Sequence, residues 1–318
     1  MARIAITGGA GFIGTNLARA LVGANHEIVV VDNLSTGYAS NLTGLACEFH
    51  KTTVTDYKAL RRAIKDCEYI YHFAARGSVP RSITDPRSTF EVNAMGTLNV
   101  LEVARENGAS IAFSSSSSVY GANTERPTHE KMWTSPISPY AASKLSGESL
   151  IQGYSAAFKM PVMIYRFFNV FGPWQRPDHS YAAVVPKWIW LLENNEPIEV
   201  YGDGEQTRDF TFVEDLIDVL LQGLKDKKSH PFPVNLGFGD SVSLNTLLEI
   251  LRERYPLMRV IYRDERLGDI RHSQNSPIEL KRLFGERRTV DFREAVFKTV
   301  NWLVENQFRY QKSSEKKK

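Results

Sequence analysis

Short apolar runs alternate with longer amphipathic runs through the first half of the chain. Arg3–Thr7 and Glu27–Asp32 are short, apolar and rich in β-branched residues, as is typical of parallel strands buried on both faces. Between them, Phe12–Gly23 has apolar residues at helical spacing and ends at a glycine. The alternation continues in predicted helices at Tyr57–Lys65 and Thr89–Asn107 and in predicted strands at Glu68–Ala75, Ser110–Ser115 and Pro161–Phe168. This order predicts an α/β fold of Rossmann type, a doubly wound parallel sheet with right-handed crossovers.

The pattern is looser in the second half of the chain. Residues Asn169–Ser180 are rich in turn formers and predict a long loop. Beyond this loop, helices are predicted at Val213–Lys225 and Leu244–Arg254, and they alternate with short apolar runs. No internal repeat is visible, which argues against a repeat architecture.

Composition narrows the class of protein. The 318 residues, 42% of them hydrophobic, can bury the core of one large domain or of two smaller ones. A net charge of +3, from 39 basic and 36 acidic residues, argues against general nucleic-acid binding. The basic tail Lys312–Lys318 is predicted to be a frayed, solvated terminus. Cys47 and Cys67 have no CxxC partner or histidine cluster, so neither a metal site nor a disulfide framework is indicated.

The chain carries no recognisable targeting signal. Its N-terminus runs from a single arginine directly into a strand and a glycine loop, unlike a signal peptide. No apolar run approaches the ~20 residues that a membrane-spanning helix needs. We therefore expect a cytoplasmic protein without a membrane partner.

The first candidate for chemistry is the glycine loop GGAGFIG, which follows a strand and opens a helix. Gly8 permits a tight turn, Gly11 lets backbone amides approach a pyrophosphate, and Gly14 lets the helix pack closely on the strand. Asp32 ends the next strand, 18 residues after Gly14, where a carboxylate accepts bonds from an adenosine ribose and repels a 2′-phosphate. The spacing therefore predicts a dinucleotide site that prefers NAD to NADP, although a simple tight turn would use the same glycines.

The second candidate is the pair of Tyr140 and Lys144 in SPYAASK. Ser138 can cap a helix and Pro139 suits its first turn, so the pair lies at i and i+4 on one helical face. Tyrosine titrates near pH ~10, and lowering its pKa by about 3 units takes roughly 4 kcal/mol of differential stabilisation. A nearby ammonium favours the tyrosinate and would supply part of that stabilisation. Taken alone, the pair also fits an ordinary surface helix.

The third candidate is the run of five serines, Ser114–Ser118, in FSSSSSVYG. A flexible linker has this composition, but a linker does not usually interrupt a strand and resume at once with Val-Tyr-Gly. The residues alone leave open whether the run is low complexity or contains a reactive hydroxyl.

Five motifs in order resemble the extended short-chain dehydrogenase/reductases that act on nucleotide sugars: TGGAGFIG, FSSSSSVYG, SPYAASK, RFFNVFGP and GDGEQTRDFTFVEDL. The resemblance runs through most of the chain and is closest to the UDP-hexose 4-epimerases. Two further segments, GSVPRS (Gly77–Ser82) and YAAVVPKW (Tyr181–Trp188), resemble the branch of these epimerases that handles N-acetylated sugars.

The resemblance implies two lobes with the active site between them. It places an NAD-binding Rossmann domain at residues 1–168 plus about 206–236, and a smaller, discontinuous α/β lobe that binds a UDP-sugar at about 169–205 plus 237–311. We also expect a homodimer. The resemblance assigns these residues to the cofactor: Gly8, Gly11, Phe12, Ile13, Gly14, Asp32, Asn33, Asp56, Ala74, Ala75, Asn93, Tyr140 and Lys144. It assigns these residues to the UDP-sugar: Ser78, Arg81, Ser116, Asn169, Val185, Tyr201, Arg208, Arg266 and Ser273.

Two of these assignments have direct chemical support. Arg208 and Arg266 match the family's pyrophosphate-binding arginines, and arginine makes bidentate, permanently charged contacts with phosphate. Without the resemblance, both would be interpreted as surface ion-pair residues.

The resemblance also gives the serine run a function. It implies that Ser116 hydrogen-bonds the sugar O4 and helps Tyr140 to take its proton. Nucleotide-sugar dehydratases of this superfamily carry Asp-Glu where Ser117 and Ser118 stand, and UDP-glucuronate decarboxylases carry Glu at Ser118. A serine hydroxyl cannot replace a carboxyl acid–base group near neutral pH. The residues therefore favour epimerisation or simple redox chemistry over elimination.

The leading hypothesis is an NAD-dependent UDP-sugar 4-epimerase that works through a 4-keto intermediate. Ser273, four residues after Asp269, stands where epimerases restricted to plain hexoses carry a bulky tyrosine. UDP-N-acetylglucosamine and UDP-N-acetylgalactosamine are therefore the predicted pair. The alternatives are another nucleotide-sugar oxidoreductase or dehydratase of the family, including a UDP-glucuronate or UDP-glucose 4-epimerase, and an inactive NAD-binding regulator. The intact Ser116, Tyr140 and Lys144 argue against the regulator.

Overall fold

The computed structural model describes residues 1–178, 182–265 and 271–311. Its strands are β1 (Arg3–Thr7), β2 (Glu27–Val31), β3 (Cys47–His50), β4 (Tyr69–His72), β5 (Ser110–Ser116), β6 (Val162–Phe167), β7 (Val170–Phe171), β8 (Ile198–Tyr201), β9 (Thr207–Arg208), β10 (Thr211–Phe212), β11 (His230–Leu236), β12 (Val242–Ser243) and β13 (Val260–Arg263). Its α-helices are α1 (Phe12–Gly23), α2 (Tyr57–Ala63), α3 (Val79–Thr84), α4 (Pro86–Phe90), α5 (Gly96–Asn107), α6 (Pro139–Phe158), α7 (Val184–Glu193), α8 (Val213–Lys225), α9 (Leu244–Arg254), α10 (Ile278–Phe284), α11 (Phe292–Glu305) and α12 (Phe308–Gln311). Short 3₁₀ turns lie at Ala39–Leu42 and Ser117–Tyr120, and a π turn lies at Glu91–Met95.

The central sheet has seven strands in the order β11-β6-β5-β4-β1-β2-β3. Every neighbouring pair in this sheet is parallel. The chain moves outward from β1 to β2 and β3, then returns to the other side of β1 for β4, β5 and β6, so the strand order reverses at β1. The predicted doubly wound parallel sheet is confirmed.

Alternate side chains of the sheet enter two separate cores. Ile4 and Ile6 of β1 lie in the core that contains α1 and α8, whereas Ala5 lies in the core that contains α2, α5 and α6. In β2, Val30 joins the first core and Val29 the second. Because both faces are covered, the interior positions of these strands, Ile4–Ile6 and Ile28–Val31, are all apolar, which is why their sequence pattern is strong.

The apolar pattern does not predict the two edge strands of the sheet. β3 contains a glutamate and a histidine, and only partly buried or exposed residues. β11 contains Pro231 and Pro233, which cannot donate to a β ladder. Both prolines are tolerated because β11 is an edge strand that pairs only with β6. An edge strand has a neighbouring strand on one side only, so its sequence can contain the polar residues and prolines that are common in loops.

The predicted helix Thr89–Asn107 is divided in the structure. α4 ends at Phe90, a π turn spans Glu91–Met95, and α5 follows without a break in the chain direction. The π turn buries the polar side chain of Asn93, and a Cβ atom at Gly96 would lie 2.5 Å from Cγ2 of Val54. Tertiary packing of these two positions therefore overrides the continuous helical pattern.

The remaining short strands pair outside the central sheet. β8 pairs with β13 in parallel, β9 with β12 antiparallel, and β7 with β10 in parallel. β7 lies inside the predicted loop Asn169–Ser180, of which residues 170–171 form this short strand. None of the helices formed by the described residues is long and apolar enough to cross a membrane. The division into two lobes at the stated boundaries stays a prediction.

Candidate active site

The carboxyl ends of the parallel strands meet at one edge of the sheet. Gly8, Asp32, Phe73 and Asn169 follow or closely follow strands β1, β2, β4 and β6, and Ser116 ends β5. In open parallel sheets, ligands bind in the crevice at this edge, where the strand order reverses. The sheet therefore brings these five positions to one edge because it aligns the ends of their strands.

The glycine loop has no room for side chains at two of its positions. Gly8 has φ +74°, and a Cβ atom there would lie 2.8 Å from the backbone nitrogen of Ala74. A Cβ atom at Gly14 would overlap the carbonyl oxygen of Gly8 and lie 2.6 Å from Cα of Gly9. Gly11 is the N-cap of α1 and provides no side-chain cap, so the first N–H groups of α1 keep their capacity to bind an anion.

The carboxylate of Asp32 closes this loop. Its Oδ2 accepts from the backbone N–H of Ala10 at 3.0 Å and its Oδ1 from that of Leu34 at 2.8 Å. Burial raises the pKa of Asp32, and the two amides lower it. Each oxygen has a further lone pair with which to accept a ribose hydroxyl. The next residue, Asn33, accepts from the N–H of Ser35 at 3.0 Å.

The glycine cradle, the uncapped N-terminus of α1 and the buried acid together fit a dinucleotide. Phe12 and Ile13 begin α1 and are half-buried beside the cradle. The backbone N–H of Ala74 donates to Oγ1 of Thr7 at 3.3 Å, which fixes the chain after β4, and Ala75 follows in the same segment. These residues would hold NAD if it binds as the glycine spacing predicts.

Asp56 and Asn93 have structural contacts of their own. Asp56 is the N-cap of α2, and its Oδ1 accepts from the N–H of Ala59 at 3.0 Å. Asn93 accepts from the N–H of Arg76 at 2.8 Å and donates to Oγ of Ser143 at 2.9 Å. Asn93 thus ties the segment after β4 to α6, while the contacts of both residues with a cofactor stay predictions.

Lys144 is buried beneath the ends of β4 and β5. Its Nζ donates to the carbonyl oxygen of Ser114 at 2.6 Å and lies 5.0 Å from the centre of the Phe113 ring. Burial lowers the pKa of Lys144 to about 7, although the charge of Glu148 raises it. Burial also lowers the pKa of His72 to about 3, so this histidine is neutral at physiological pH. Lys144 therefore has no charged histidine beside it.

Tyr140 stands one helical turn before Lys144 on α6. Ser138 caps the helix by accepting from the N–H of Ala141 at 3.2 Å, and the helix starts at Pro139 as predicted. Burial raises the pKa of Tyr140, whereas a hydrogen bond with Ser116 lowers it. The Ser116 hydroxyl also accepts from the N–H of Ser118 at 3.2 Å. The serine that the family resemblance selects is thus the one that contacts Tyr140.

Sequence reasoning missed a buried ion pair under this site. Arg166 on β6 donates from Nε and NH2 to the two oxygens of Glu148 on α6, at 2.9 and 2.7 Å. The hydroxyl of Ser115 donates to the same carboxylate, and the guanidinium lies 4.7 Å from the centre of the Tyr120 ring. Both charged side chains are at most 5% exposed. The spacing of Glu148 four residues after Lys144 was the one available signal, and it did not identify Arg166 as the partner.

Residues predicted to bind the sugar nucleotide lie on several segments. Ser78 is the N-cap of α3 and accepts from the N–H of Arg81 at 3.2 Å. Asn169 has φ +31° and donates from Nδ2 to the carbonyl oxygen of Asp209 at 3.0 Å. Ser273 is half-buried and donates from its N–H to the carbonyl oxygen of Thr207 at 3.1 Å.

A cleft of about 200 Å³ lies beside α7, with Tyr201 and Arg208 in its wall. Val184 lines this cleft, whereas Val185 is 1% exposed and packs in the core. A contact that the sequence assigns to Val185 would therefore be made by its neighbour. Arg266 lies outside the residues that the structure describes.

Comparisons with known proteins agree with this geometry. Residues 4–237 match the model of the NAD dependent epimerase/dehydratase family. A UDP-glucose 4-epimerase of Mycolicibacterium smegmatis is 34% identical over 310 residues, which are 94% of this chain and 98% of that protein. A UDP-N-acetylglucosamine 4-epimerase from Methanobrevibacter ruminantium M1, solved in complex with UDP-N-acetylmuramic acid, is 34% identical with a TM-score of 0.91 and covers 96% of this chain and 99% of its own. The structure of TunA, an NAD dependent-NDP-hexosamine 5,6-dehydratase, is 35% identical with a TM-score of 0.86, and the match covers 96% of this chain and 98% of TunA.

The chain belongs to the NAD-dependent epimerase/dehydratase family. Its cofactor is NAD, and its relatives include UDP-sugar 4-epimerases. This confirms the predicted family, cofactor and fold class, and it leaves the particular sugar to be argued from the site.

The glycine cradle can be tested with one methyl group. Gly14→Ala should lower the affinity for NAD by more than about tenfold, because the new Cβ must displace backbone atoms of the loop rather than a flexible side chain. Gly23→Ala, at the end of α1, is the matched control, since a Cβ there meets nothing within 4 Å. Calorimetry on cofactor-free protein measures both affinities. Equal NAD binding by the two variants would contradict the packing role of Gly14.

The Glu148–Arg166 pair can be tested by neutralising the acid. Glu148→Gln leaves a buried guanidinium without its counter-ion and should cost about 3–5 kcal/mol of stability in urea unfolding. It also removes the charge that raises the pKa of Lys144, so the alkaline limb of the pH–turnover profile should move to lower pH.

Two variants control this experiment. Glu253→Gln removes an exposed ion pair with Arg293 and should change neither stability nor the pH profile. Glu148→Gln combined with Arg166→Gln removes both buried charges, so it should recover part of the stability. An unshifted alkaline limb in every folded variant would show that Glu148 does not act on Lys144.

Proposed function

We propose that this protein is an NAD-dependent UDP-sugar 4-epimerase, with UDP-N-acetylglucosamine and UDP-N-acetylgalactosamine as its preferred pair. The observation that carries the proposal is the contact of Ser116 with Tyr140, one helical turn before the buried Lys144. The neighbouring serines stand where dehydratases carry acids. Such a site can remove and return a hydroxyl proton but has no carboxylic acid at those positions to expel a leaving group.

Each of the three side chains has a distinct part in the proposed reaction. Tyr140 takes the proton of the sugar 4-hydroxyl and later returns it, and Ser116 positions that hydroxyl through a hydrogen bond. NAD supplies the hydride acceptor and donor at the sugar carbon, so the net reaction consumes no oxidant. Lys144, held by the carbonyl of Ser114, brings a positive charge near Tyr140 when it is protonated, which favours the tyrosinate.

The 3₁₀ turn after β5 supports epimerisation over elimination. Ser117–Tyr120 forms this turn, and the hydroxyl of Ser118 is buried with no hydrogen-bond partner in the described part of the chain. An isolated hydroxyl is a poor proton donor to a leaving group, because the alkoxide that it would form is not stabilised. The likeness to TunA keeps a dehydratase as the second candidate. An unsaturated product with a new ultraviolet absorbance would favour that alternative.

The position of Ser273 supports the N-acetylated pair. Its N–H donates to Thr207, whose neighbour Arg208 lines the cleft beside α7. The backbone carbonyl oxygen of the preceding residue, His272, accepts from Nε of Arg126 at 2.9 Å, so the segment is held from both sides. A small side chain on a fixed segment leaves room that an aromatic ring would fill.

The proton-transfer role is tested by Tyr140→Phe. This variant should retain NAD and UDP-sugar binding but lose most of its turnover, at least about 100-fold, because only the acid–base group is removed. Ser116→Ala should lose less, since it removes one positioned hydrogen bond. Product formation by NMR on UDP-N-acetylglucosamine measures both variants. Turnover of Tyr140→Phe near that of the wild type would exclude Tyr140 from the mechanism.

The sugar preference is tested by Ser273→Tyr. A ring at this position should abolish activity on the N-acetylated pair and retain activity on UDP-glucose and UDP-galactose, because overlap rejects the larger ligand. Ser273→Ala is the control and should accept both pairs as the wild type does. If both substrate classes fall equally in Ser273→Tyr, or neither changes, Ser273 does not select the sugar.

A further inference from the structure

Asp209 is a buried acid that the proposed chemistry does not use. Its side chain is fully buried, and burial raises its pKa to about 7. No cation pairs with it among the described residues, and the charged group acting on it is another acid, the exposed Asp240. A buried carboxylate without a counter-ion lowers the stability of a fold, so its presence here calls for a second role.

The contacts of Asp209 join segments that are far apart in the chain. Its Oδ2 accepts from the backbone N–H of Gly239 at 3.0 Å and from that of Asn275 at 2.9 Å. Its backbone carbonyl accepts from Nδ2 of Asn169 at 3.0 Å, and the N–H of Thr211 donates to the carbonyl of Asn169 at 3.3 Å. One residue therefore holds the segment after β6, the segment after β11 and the segment before α10.

Those segments also bind each other around Asp209. Nδ2 of Asn275 donates to the carbonyl of Gly237 at 2.9 Å, and Nε2 of Gln274 donates to that of Gly239 at 3.0 Å. Gly239 has φ +88°, a conformation that favours glycine and suits its close approach to residue 275. The carboxylate is the shared acceptor of two of the segments, so its removal would leave the buried N–H of Asn275 and the partly buried N–H of Gly239 without this partner.

The segment after β6, the segment before α10 and the segment of Asp209 itself carry residues expected to bind the sugar nucleotide. Asn169 bonds Asp209 directly, Arg208 precedes it in the chain, and Ser273 lies two residues before Asn275. We infer that Asp209 is a positioning residue, which holds Asn169, Arg208 and Ser273 in one arrangement and so sets the affinity for the sugar nucleotide without contacting it. This inference rests on the proposed function, because it takes the sugar nucleotide as the ligand.

Two substitutions separate the shape of Asp209 from its charge. Asp209→Ala removes the shared acceptor and should weaken binding of UDP-N-acetylglucosamine by about tenfold or more. Asp209→Asn retains one oxygen for the N–H groups of Gly239 and Asn275 and removes the charge. It should therefore weaken binding by about threefold, since neutral hydrogen bonds are weaker than charge-assisted ones. Asp240→Asn, an exposed acid near the same segment, is the control and should bind as the wild type does.

Calorimetry with UDP-N-acetylglucosamine and, separately, with NAD distinguishes positioning from general damage. The inference expects the sugar-nucleotide affinity to fall while NAD affinity is unchanged, and KM to rise with little change in kcat. A parallel loss of both affinities, or sugar-nucleotide binding in Asp209→Ala equal to that of the wild type, would overturn it. If Asp209→Ala does not fold, Asp209→Asn decides: a raised KM with unchanged NAD affinity supports the inference, and an unchanged KM refutes it. If the wild-type protein binds neither UDP nor UDP-N-acetylglucosamine, the proposed function is contradicted, and this inference fails because it rests on that function.

Discussion

The reacting end of the sheet depends on the buried pair of Glu148 and Arg166. The two side chains join α6 to β6 through two hydrogen bonds, and Ser115 adds β5 to the same carboxylate. The adjacent residue of β5, Ser116, contacts Tyr140, and Lys144 lies one turn before Glu148 on α6. A buried pair is costly to desolvate, and bidentate geometry offsets this cost while fixing the relative positions of the three elements. This one contact therefore joins the elements that carry the candidate residues Ser116, Tyr140 and Lys144.

Charge burial is concentrated around the same edge of the sheet. Burial raises the pKa values of the carboxyls of Asp32 and Asp209, and the backbone amides that donate hydrogen bonds to them offset only part of this rise. Burial lowers the pKa of Lys144, because it disfavours the charged ammonium. Groups of this kind lower stability wherever they occur, so a fold retains them mainly at sites that use them. In this chain, the two acids accept hydrogen bonds that join separate segments, whereas the lysine belongs to the proposed proton-transfer site.

Elements whose side chains are buried on one or both faces were predicted more accurately from the sequence than elements at the edge of the sheet. β1 and helices α1, α8 and α9 begin and end where the sequence predicts, because complete or one-sided burial imposes a clear apolar period. The edge strands β3 and β11 have no such period, since each is paired on one side only. The π turn at Glu91–Met95 was also missed, because what decides it is the burial of Asn93 against α6. Val185 shows the same limit at one residue: the sequence predicts a ligand contact for this valine but does not show that its side chain packs in the core.

Local physics alone determined the parts of the site that lie within a few residues of one another. Glycines at fixed spacing, an acid at the end of β2, and Tyr140 and Lys144 one turn apart on a helix all follow from backbone geometry. Only the tertiary structure decided that Glu148 meets Arg166, that Ser115 joins them, and that Asp209 holds Gly239 and Asn275. These contacts join positions between 18 and 66 residues apart in the chain, so they depend on strand order and register. The candidate residues could be predicted from the sequence because their motifs are local. Their supporting contacts could not, because these are made by residues that only the sheet brings together.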